Sequence, residues 1–193
     1  LEGGECVIAR ANHRVSYPAR IQLVAAMNPC RCGMAGEPGH TCARGPRCMT
    51  DYQARISGPL MDRIDIRIDV PAVSAADLIR PTAAEASADV ARRVARARDI
   101  QRERYASAGA RGISTNAGCS TSMIEKFAEP DAAGLQLLRD AADKMKFSAR
   151  GYHRVLKVAR TLADLDGKDT VGRIHLAEAI SYRVAGARLT AAA

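Results

Sequence analysis

The hydrophobic period changes once along these 193 residues, and that change limits the fold more than any other feature. Up to about residue 79 the apolar residues come in short, strand-like stretches. Ile21-Gln22-Leu23-Val24-Ala25-Ala26-Met27 is a nearly continuous apolar run stopped by Asn28-Pro29, the pattern of a strand buried on both faces of a parallel sheet. Ile64-Asp65-Ile66-Arg67-Ile68-Asp69-Val70 alternates apolar with charged and ends at Pro71, which predicts a strand with one wet face. Cys6–Arg10 and Arg14–Tyr17 flank the turn Ala11-Asn12-His13 and read as a hairpin. Beyond residue 80 the period is helical. Thr82 with Glu85 forms a capping box, and Val90, Val94, Ala97 and Ile100 follow at helical spacing through about Tyr105. After a Gly/Ser/Ala loop at 106–118, a short helix spans Ser122–Ala128 and a second runs from Asp131 to Met145. Ser148 caps a third, which carries Val155, Leu156, Ala159, Leu162 and Ala163 and has Gly167 past its end. The last helix covers Arg173–Gly186. The expected fold class is therefore α/β plus all-α: the tail of an α/β sheet over residues 1–79, then a helical bundle over 80–193.

Charge follows the same division. Residues 1–79 hold nine Lys/Arg against eight Asp/Glu, whereas residues 80–193 hold twenty against thirteen, so the net +8 lies almost wholly in the second half. A basic half favours a polyanionic partner such as nucleic acid or nucleotide phosphate; solvated helix faces are the plainer reading. The run Arg92, Arg93, Arg96, with Arg98, Arg102 and Arg104, has acidic partners at hand in Asp89, Asp99 and Glu103. Aromatic residues make up 4% with no Trp, which leaves few rings for a single-strand stacking platform. The apolar run Ile21–Met27 is far short of a membrane span, and no basic-then-apolar signal opens the chain. A cytoplasmic protein without a membrane partner is expected, and the opening at Leu1 rather than Met reads as a piece of something longer.

Four of the six cysteines, Cys30, Cys32, Cys42 and Cys48, fall within one Gly/Pro-rich loop at 30–48, with His40 nearby. Clustered thiols without a secretory signal read as metal ligands before disulfides. Their number and type suit a tetrahedral structural Zn²⁺ site, with free thiols and a redox role as the other readings. Cys6 and Cys119 read as ordinary half-buried thiols. His13, His153 and His175 show no ligand spacing with one another.

Two polar residues stand at strand ends. Asn28 closes the buried run, where a carboxamide can orient a water beside a phosphate; the plainer reading is a turn opened before proline. Arg63, in Ser57-Gly58-Pro59-Leu60-Met61-Asp62-Arg63-Ile64-Asp65, stands at the mouth of the alternating strand. A permanently charged, forked guanidinium there suits a transferring phosphoryl group, and a surface pair with Asp62 or Asp65 is the alternative.

Taken with Ser148-Ala149-Arg150-Gly151-Tyr152-His153-Arg154-Val155-Leu156-Lys157-Val158-Ala159-Arg160-Thr161, these segments resemble the magnesium-chelatase-like AAA+ ATPases, in particular their competence-protein (ComM) group. The resemblance extends from Leu1-Glu2-Gly3-Gly4-Glu5 to Ala177-Glu178-Ala179-Ile180-Ser181-Tyr182-Arg183. It implies the C-terminal portion of an AAA+ nucleotide-binding domain followed by its helical lid. By resemblance, Asn28 matches the sensor-1 residue facing the γ-phosphate and attacking water, and Arg63 matches the arginine finger that reaches a neighbouring subunit's nucleotide. Arg150 matches sensor 2, brought to the phosphate by the lid, and the hairpin matches the pre-sensor-1 hairpin that often contacts DNA in a ring's pore. The implied cofactor is ATP with Mg²⁺, the implied assembly a hexameric ring, and the implied activity ATP-driven branch migration or remodelling of DNA.

The sequence also departs from the family pattern. No Gly-x-x-x-x-Gly-Lys-Ser/Thr occurs, since the only Gly-Lys pair, Gly167-Lys168, is followed by Asp169, and no apolar strand ends in Asp-Glu. In the family both lie upstream of this opening segment. Many relatives begin the cysteine loop with Cys-Pro-Cys-Gly, whereas Arg31 stands between Cys30 and Cys32 here. Two other readings remain open: an ATPase subunit driving Mg²⁺ insertion into a porphyrin, and a non-enzymatic, zinc-bearing DNA-binding module.

Overall fold

The computed structural model describes residues 3–35, 41–45, 47–71, 73, 79 and 85–184. They sort into two compact units, Leu1–Arg63 and Ile64–Ala193.

In the first unit, β1 (Glu5–Arg10) and β2 (His13–Pro18) pair antiparallel, with Glu5 opposite Pro18 and Arg10 opposite His13. Ala11 turns the chain at φ +42°, and the Ala19 N–H donates to the Gly4 carbonyl at 2.8 Å to close the base. His13 belongs to the ladder rather than to the turn. All residues of both strands are exposed, Cys6 among them, which corrects its reading as half-buried. A two-stranded ribbon is marginal on its own in water, so these strands rest on their ladder and loop closure.

The runs expected to be strands at 21–27 and 64–70 are not in strands. Val24 is 85% exposed, and Ile21 and Leu23 are exposed beside it. The physical reason is that a strand exists only through its neighbours. Among the described residues the sheet is the β1–β2 pair alone, so neither run has a ladder to join. The expected α/β layer is thus represented here by one hairpin. Two short helices were not anticipated: α1 (Arg47–Gln53) starts inside the cysteine loop, and α2 (Gly58–Asp62) follows. Ser57 caps α2 by accepting from the Leu60 N–H at 3.4 Å, with a proline in the first turn.

The second unit is helical: α3 (Ser87–Ser107), a 3₁₀ turn (Asn116–Gly118), α4 (Thr121–Phe127), α5 (Ala132–Met145), α6 (Ala149–Leu165) and α7 (Arg173–Val184). Ser120, Asp131 and Ser148 each satisfy an otherwise unpaired N–H at a helix start. Lys146 ends α5 at φ +48°, and Gly167 turns the chain after α6 at φ +64°, where glycine pays no steric penalty. The central element is α6, which packs on α3, α4 and α7, while α5 packs on α7. Leu156, Ile124, Leu138 and Leu176 fill the space between them, and Tyr105 meets Phe127 edge-on at 5.7 Å.

Helix α3 departs from its sequence pattern. Ala86 is its N-cap and makes no side-chain cap bond; the Thr82 capping box lies outside the described residues. Only Ala97, Gln101 and Tyr105 of α3 are buried. Val90 and Val94 are exposed, so the apolar stripe runs beyond the core that covers its C-terminal half.

Candidate functional site

The cysteine loop is organised by two turns of the same design. The Gly33 N–H donates to the Cys30 carbonyl at 3.0 Å, and the Gly45 N–H donates to the Cys42 carbonyl at 2.9 Å. Both glycines have left-handed φ, +78° and +80°, which a side chain would strain. Each turn therefore opens on a cysteine and closes on a glycine. Gln53 Nε2, from α1, donates to the Pro29 carbonyl at 2.9 Å and ties the helix to the start of the loop.

This geometry brings three sulfurs together: Cys30 and Cys32 Sγ are 3.0 Å apart, and Cys32 and Cys42 Sγ are 3.1 Å apart. All three offer their ligand atoms within 4.8 Å of one another. The Cys32 thiol lowers the Cys30 pKa to about 6 against the opposing effect of burial, with help from the Ala35, Cys32 and Met34 backbone amides. Cys42, sharing the same Cys32 partner, is raised to about 12, with the Arg44 amide acting against this and burial and Cys48 adding to it. The grouped sulfurs thus compete for one another's protons, and a set of thiols so close together suits a soft divalent cation. Cys48, buried at the start of α1, is not one of the three grouped sulfurs, although it influences Cys42. His40 lies outside the described residues.

The phosphate-facing candidates sit on three separate elements. Asn28 is exposed, just before Pro29. Arg63 is the C-cap of α2, and its Nη1 donates to the Pro59 carbonyl at 2.9 Å. Arg150 is exposed in the first turn of α6, where Ser148 Oγ accepts from the Gly151 N–H at 3.0 Å. Asn28 and Arg63 belong to the first unit and Arg150 to the second.

His153, one turn into α6, bonds the Ala149 carbonyl through Nδ1 at 2.7 Å and Glu125 through Nε2 at 2.8 Å. Its ring ties α6 to α4. The α3 arginines are largely matched: Arg92 pairs with Asp89, Arg93 with Glu85 and Arg102 with Asp99. Much of the positive charge on this helix is neutralised at its own surface.

Sequence reasoning missed a buried polar network behind α6. Asp164 accepts from Arg104 at both oxygens, from Asn116 Nδ2 at 2.8 Å and from Arg160 Nε at 3.0 Å. Tyr105 Oη donates to Asn116 Oδ1 at 2.8 Å, and Asn116 Nδ2 also reaches Thr161 Oγ1 at 3.0 Å. Cys119 Sγ donates to the Asn116 carbonyl at 3.1 Å, fully inside the unit. Burial alone pushes the Asp164 pKa up, but the hydrogen bonds of Arg104 and Asn116 and the charge of Arg160 leave it below the ordinary carboxylate value. The available signal was Arg160 and Asp164 at i,i+4, interleaved with the apolar positions Ala159 and Ala163 on one helix face.

Among the described residues no helix is long and apolar enough to cross a membrane. Residues 1–78 match the family model for magnesium chelatase, subunit ChlI, and residues 84–183 match that for the subunit ChlI C-terminal region. The chain is 40% identical over 185 residues to Competence protein ComM of Haemophilus influenzae, covering 95% of this chain and 34% of that protein. It is 39% identical over 193 residues to an uncharacterized protein of Mycobacterium tuberculosis, covering 97% of this chain and 36% of the relative. It is 35% identical over 188 residues to the uncharacterized protein YifB of Escherichia coli, covering 95% and 35%. The chain spans about a third of the length of these curated relatives. Two family models in consecutive order, together with a relative of this identity along nearly the whole chain, place it plainly: the chain belongs to the magnesium chelatase subunit ChlI family.

Proposed function

We propose that these residues form the C-terminal part of an ATP-driven motor that remodels DNA, with branched recombination intermediates as its substrate. Residues 1–79 complete an AAA+ nucleotide-binding domain and residues 80–193 form its lid. The motor is cytoplasmic and works as a hexameric ring.

The observation that carries the reading is the position of Arg150. Arg150 belongs to the first turn of a 17-residue helix, where the positive end of the helix dipole also favours an anion. A phosphoryl group there meets a permanent charge and a favourable field. Arg63, held at a helix end, supplies a second guanidinium to the γ-phosphate of a neighbouring subunit. Asn28 orients the attacking water, since its carboxamide both donates and accepts. Phosphoryl transfer needs little more than such positioning and charge. The phosphate cradle and the Mg²⁺ carboxylate are supplied from outside this chain. The exposed β1–β2 hairpin, with Arg10, His13 and Arg14 at its tip, contacts DNA in the pore. Cys30, Cys32 and Cys42, whose sulfurs lie within 4.8 Å of one another, hold a structural Zn²⁺ that fixes the loop following Asn28, with Cys48 as the expected fourth ligand. The 40% identity to Competence protein ComM supports a role in competence over porphyrin metalation.

The test is nucleotide binding and turnover by the full-length protein. Arg63→Ala is expected to keep ATP affinity and lose about 10³–10⁵ in rate, and Arg150→Ala to weaken both. Wild-type turnover in Arg63→Ala would overturn the assignment.

A further inference from the structure

A cavity opens on the helical unit where α3 ends. Its volume is about 400 Å³, within the range of small-ligand sites, and it lies between Arg102 and Ala106 of α3 and the loop at 109–113. The loop is held in shape by its own backbone. The Gly109 N–H donates to the Ala106 carbonyl at 3.0 Å, and the Ala110 N–H to the Tyr105 carbonyl at 2.9 Å. Gly109 and Gly112 have left-handed φ of +69° and +80°, and nothing stands within 4 Å of where a Cβ would lie at either. The backbone there is open to close approach by a ligand. Ala110 and Ile113 pack on the core, so the apolar part of the lining is fixed from behind.

Two guanidinium groups line the same cavity, and they differ. Arg102 pairs with Asp99, the side chains being 65% and 62% exposed. A pair so open is weak in water and yields to a competing anion. Arg111 is exposed and has no ion pair among the described residues. Arg104, by contrast, is committed to Asp164. Arg98, exposed on α3 one helical turn before Arg102, continues the cationic row along the helix away from the cavity. One cation without a partner, a second in a loose pair and a lining of small apolar side chains match a phosphate with a planar ring attached. Arginine grips a phosphate through its fork and stacks on the faces of bases.

We infer that this cavity takes one nucleotide unit, its phosphate on Arg111 and Arg102 and its base against Ala106, Ala110 and Ile113. The row continuing to Arg98 favours a unit within a single strand over a free nucleotide, because the next phosphate of a strand then also meets a cation. The cavity lies wholly in the helical unit and is independent of the roles given to Asn28, Arg63 and Arg150; the strand as its occupant rests in addition on the DNA-remodelling reading above.

The test uses the 193-residue chain, which carries no Gly-x-x-x-x-Gly-Lys-Ser/Thr segment and so offers AMP no conventional phosphate loop. Binding of a fluorescein-labelled oligothymidylate and of an abasic strand of equal length is followed by anisotropy over a KCl series, and binding of AMP by calorimetry. The proteins are the wild type, Arg111→Ala, Ala106→Leu and, as reference, Arg14→Ala in the hairpin. Arg111 and Ala106 are both exposed, and thermal melts check that each variant is folded. Arg111→Ala is expected to weaken oligothymidylate binding roughly fivefold to tenfold at low salt and to lower the slope of log affinity against log salt by about one, the mark of one lost phosphate contact. Ala106→Leu fills the cavity and keeps every charge. It is expected to weaken oligothymidylate about threefold to tenfold, with the slope unchanged and the abasic strand unaffected. AMP binding that is lost in the same two variants, without binding of oligothymidylate, keeps the cavity and assigns it to free nucleotides. Oligothymidylate binding that responds to Arg14→Ala and to neither cavity variant leaves the DNA reading standing and overturns the inference. Equal binding of both strands by the wild type, weakened alike by Arg111→Ala, reduces Arg111 to surface charge and overturns it too. So does a folded chain that binds none of the three ligands at low salt.

Discussion

Arg160 and Asp164 stand one turn apart on α6, joined Nε to Oδ1 at 3.0 Å, with 1% and 2% of their surfaces exposed. A charge pair this deep costs more to desolvate than its own attraction returns unless other donors complete it. Here Arg104 and Asn116 supply them, while the Arg160 Nη1 satisfies the Asp169 carbonyl at 2.6 Å. The network joins α3, the 3₁₀ turn and α6 behind the surface that carries Arg150.

Removing the shared acceptor leaves the buried Arg160 guanidinium facing the partly buried one of Arg104. Asp164→Ala is expected to destabilise the helical unit by about 3–5 kcal/mol. Urea titration followed by far-UV circular dichroism reads this directly. Arg160→Met combined with Asp164→Leu should cost less than the sum of the single changes, because the double variant strands fewer charges.

Acid sensitivity follows from the same carboxylate. Its folded pKa lies below the ordinary Asp value, so its contribution is fully present above about pH 5, clear of the unfolded value near 3.9. That contribution is lost as pH falls through the lowered folded pKa. The stability of the wild type should therefore drop more steeply between about pH 4 and pH 2 than that of Asp164→Asn, in denaturation series across that range. Equal slopes would remove Asp164 from the acid response.

The helical unit was largely legible in the sequence because its signals are local. Ser148 and Asp131 sit where a cap was read or the helix was expected to begin, and Gly167 turns the chain beyond α6 as expected. The network was not legible, because its members come from residues 101–116 and 160–164 and meet only through tertiary packing. The run 21–27 misled for the converse reason. Its composition describes the environment of a sheet interior, and a chain segment cannot supply that environment to itself. In the cysteine loop the composition pointed to clustered sulfurs, but not to the two Gly-closed turns that gather them or to Cys48 riding on a helix.

Gly134 is a tight point in the packing between α5 and α7. A Cβ there would lie 2.8 Å from Leu176 Cδ1 and 2.9 Å from Asp131 Oδ1, the first a fully buried side chain and the second the cap of α5. Gly134→Ala should destabilise by about 1–3 kcal/mol, despite the gain in helix propensity of about 1 kcal/mol. A thermal melt that rises would show that Leu176 yields freely.

The grouped sulfurs predict metal. Protein purified without chelator is expected to contain about one equivalent of zinc, and Cys30→Ser, Cys32→Ser and Cys42→Ser should each lose it. Cys48→Ser reports whether the fourth thiol joins them. Metal-free protein with four freely titrating thiols in this loop and unchanged stability would contradict the site.

The central claim is that Arg63 acts on a nucleotide held by another subunit, and subunit mixing tests it most directly. Full-length Arg63→Ala protein and full-length protein with a disabled phosphate-binding loop are each expected to be nearly inactive. Mixed in equal amounts, they create interfaces at which an intact loop faces an intact Arg63. ATP turnover of the mixture well above either variant alone is the predicted result; turnover no higher than the average of the two inactive proteins, in demonstrably mixed rings, would contradict it.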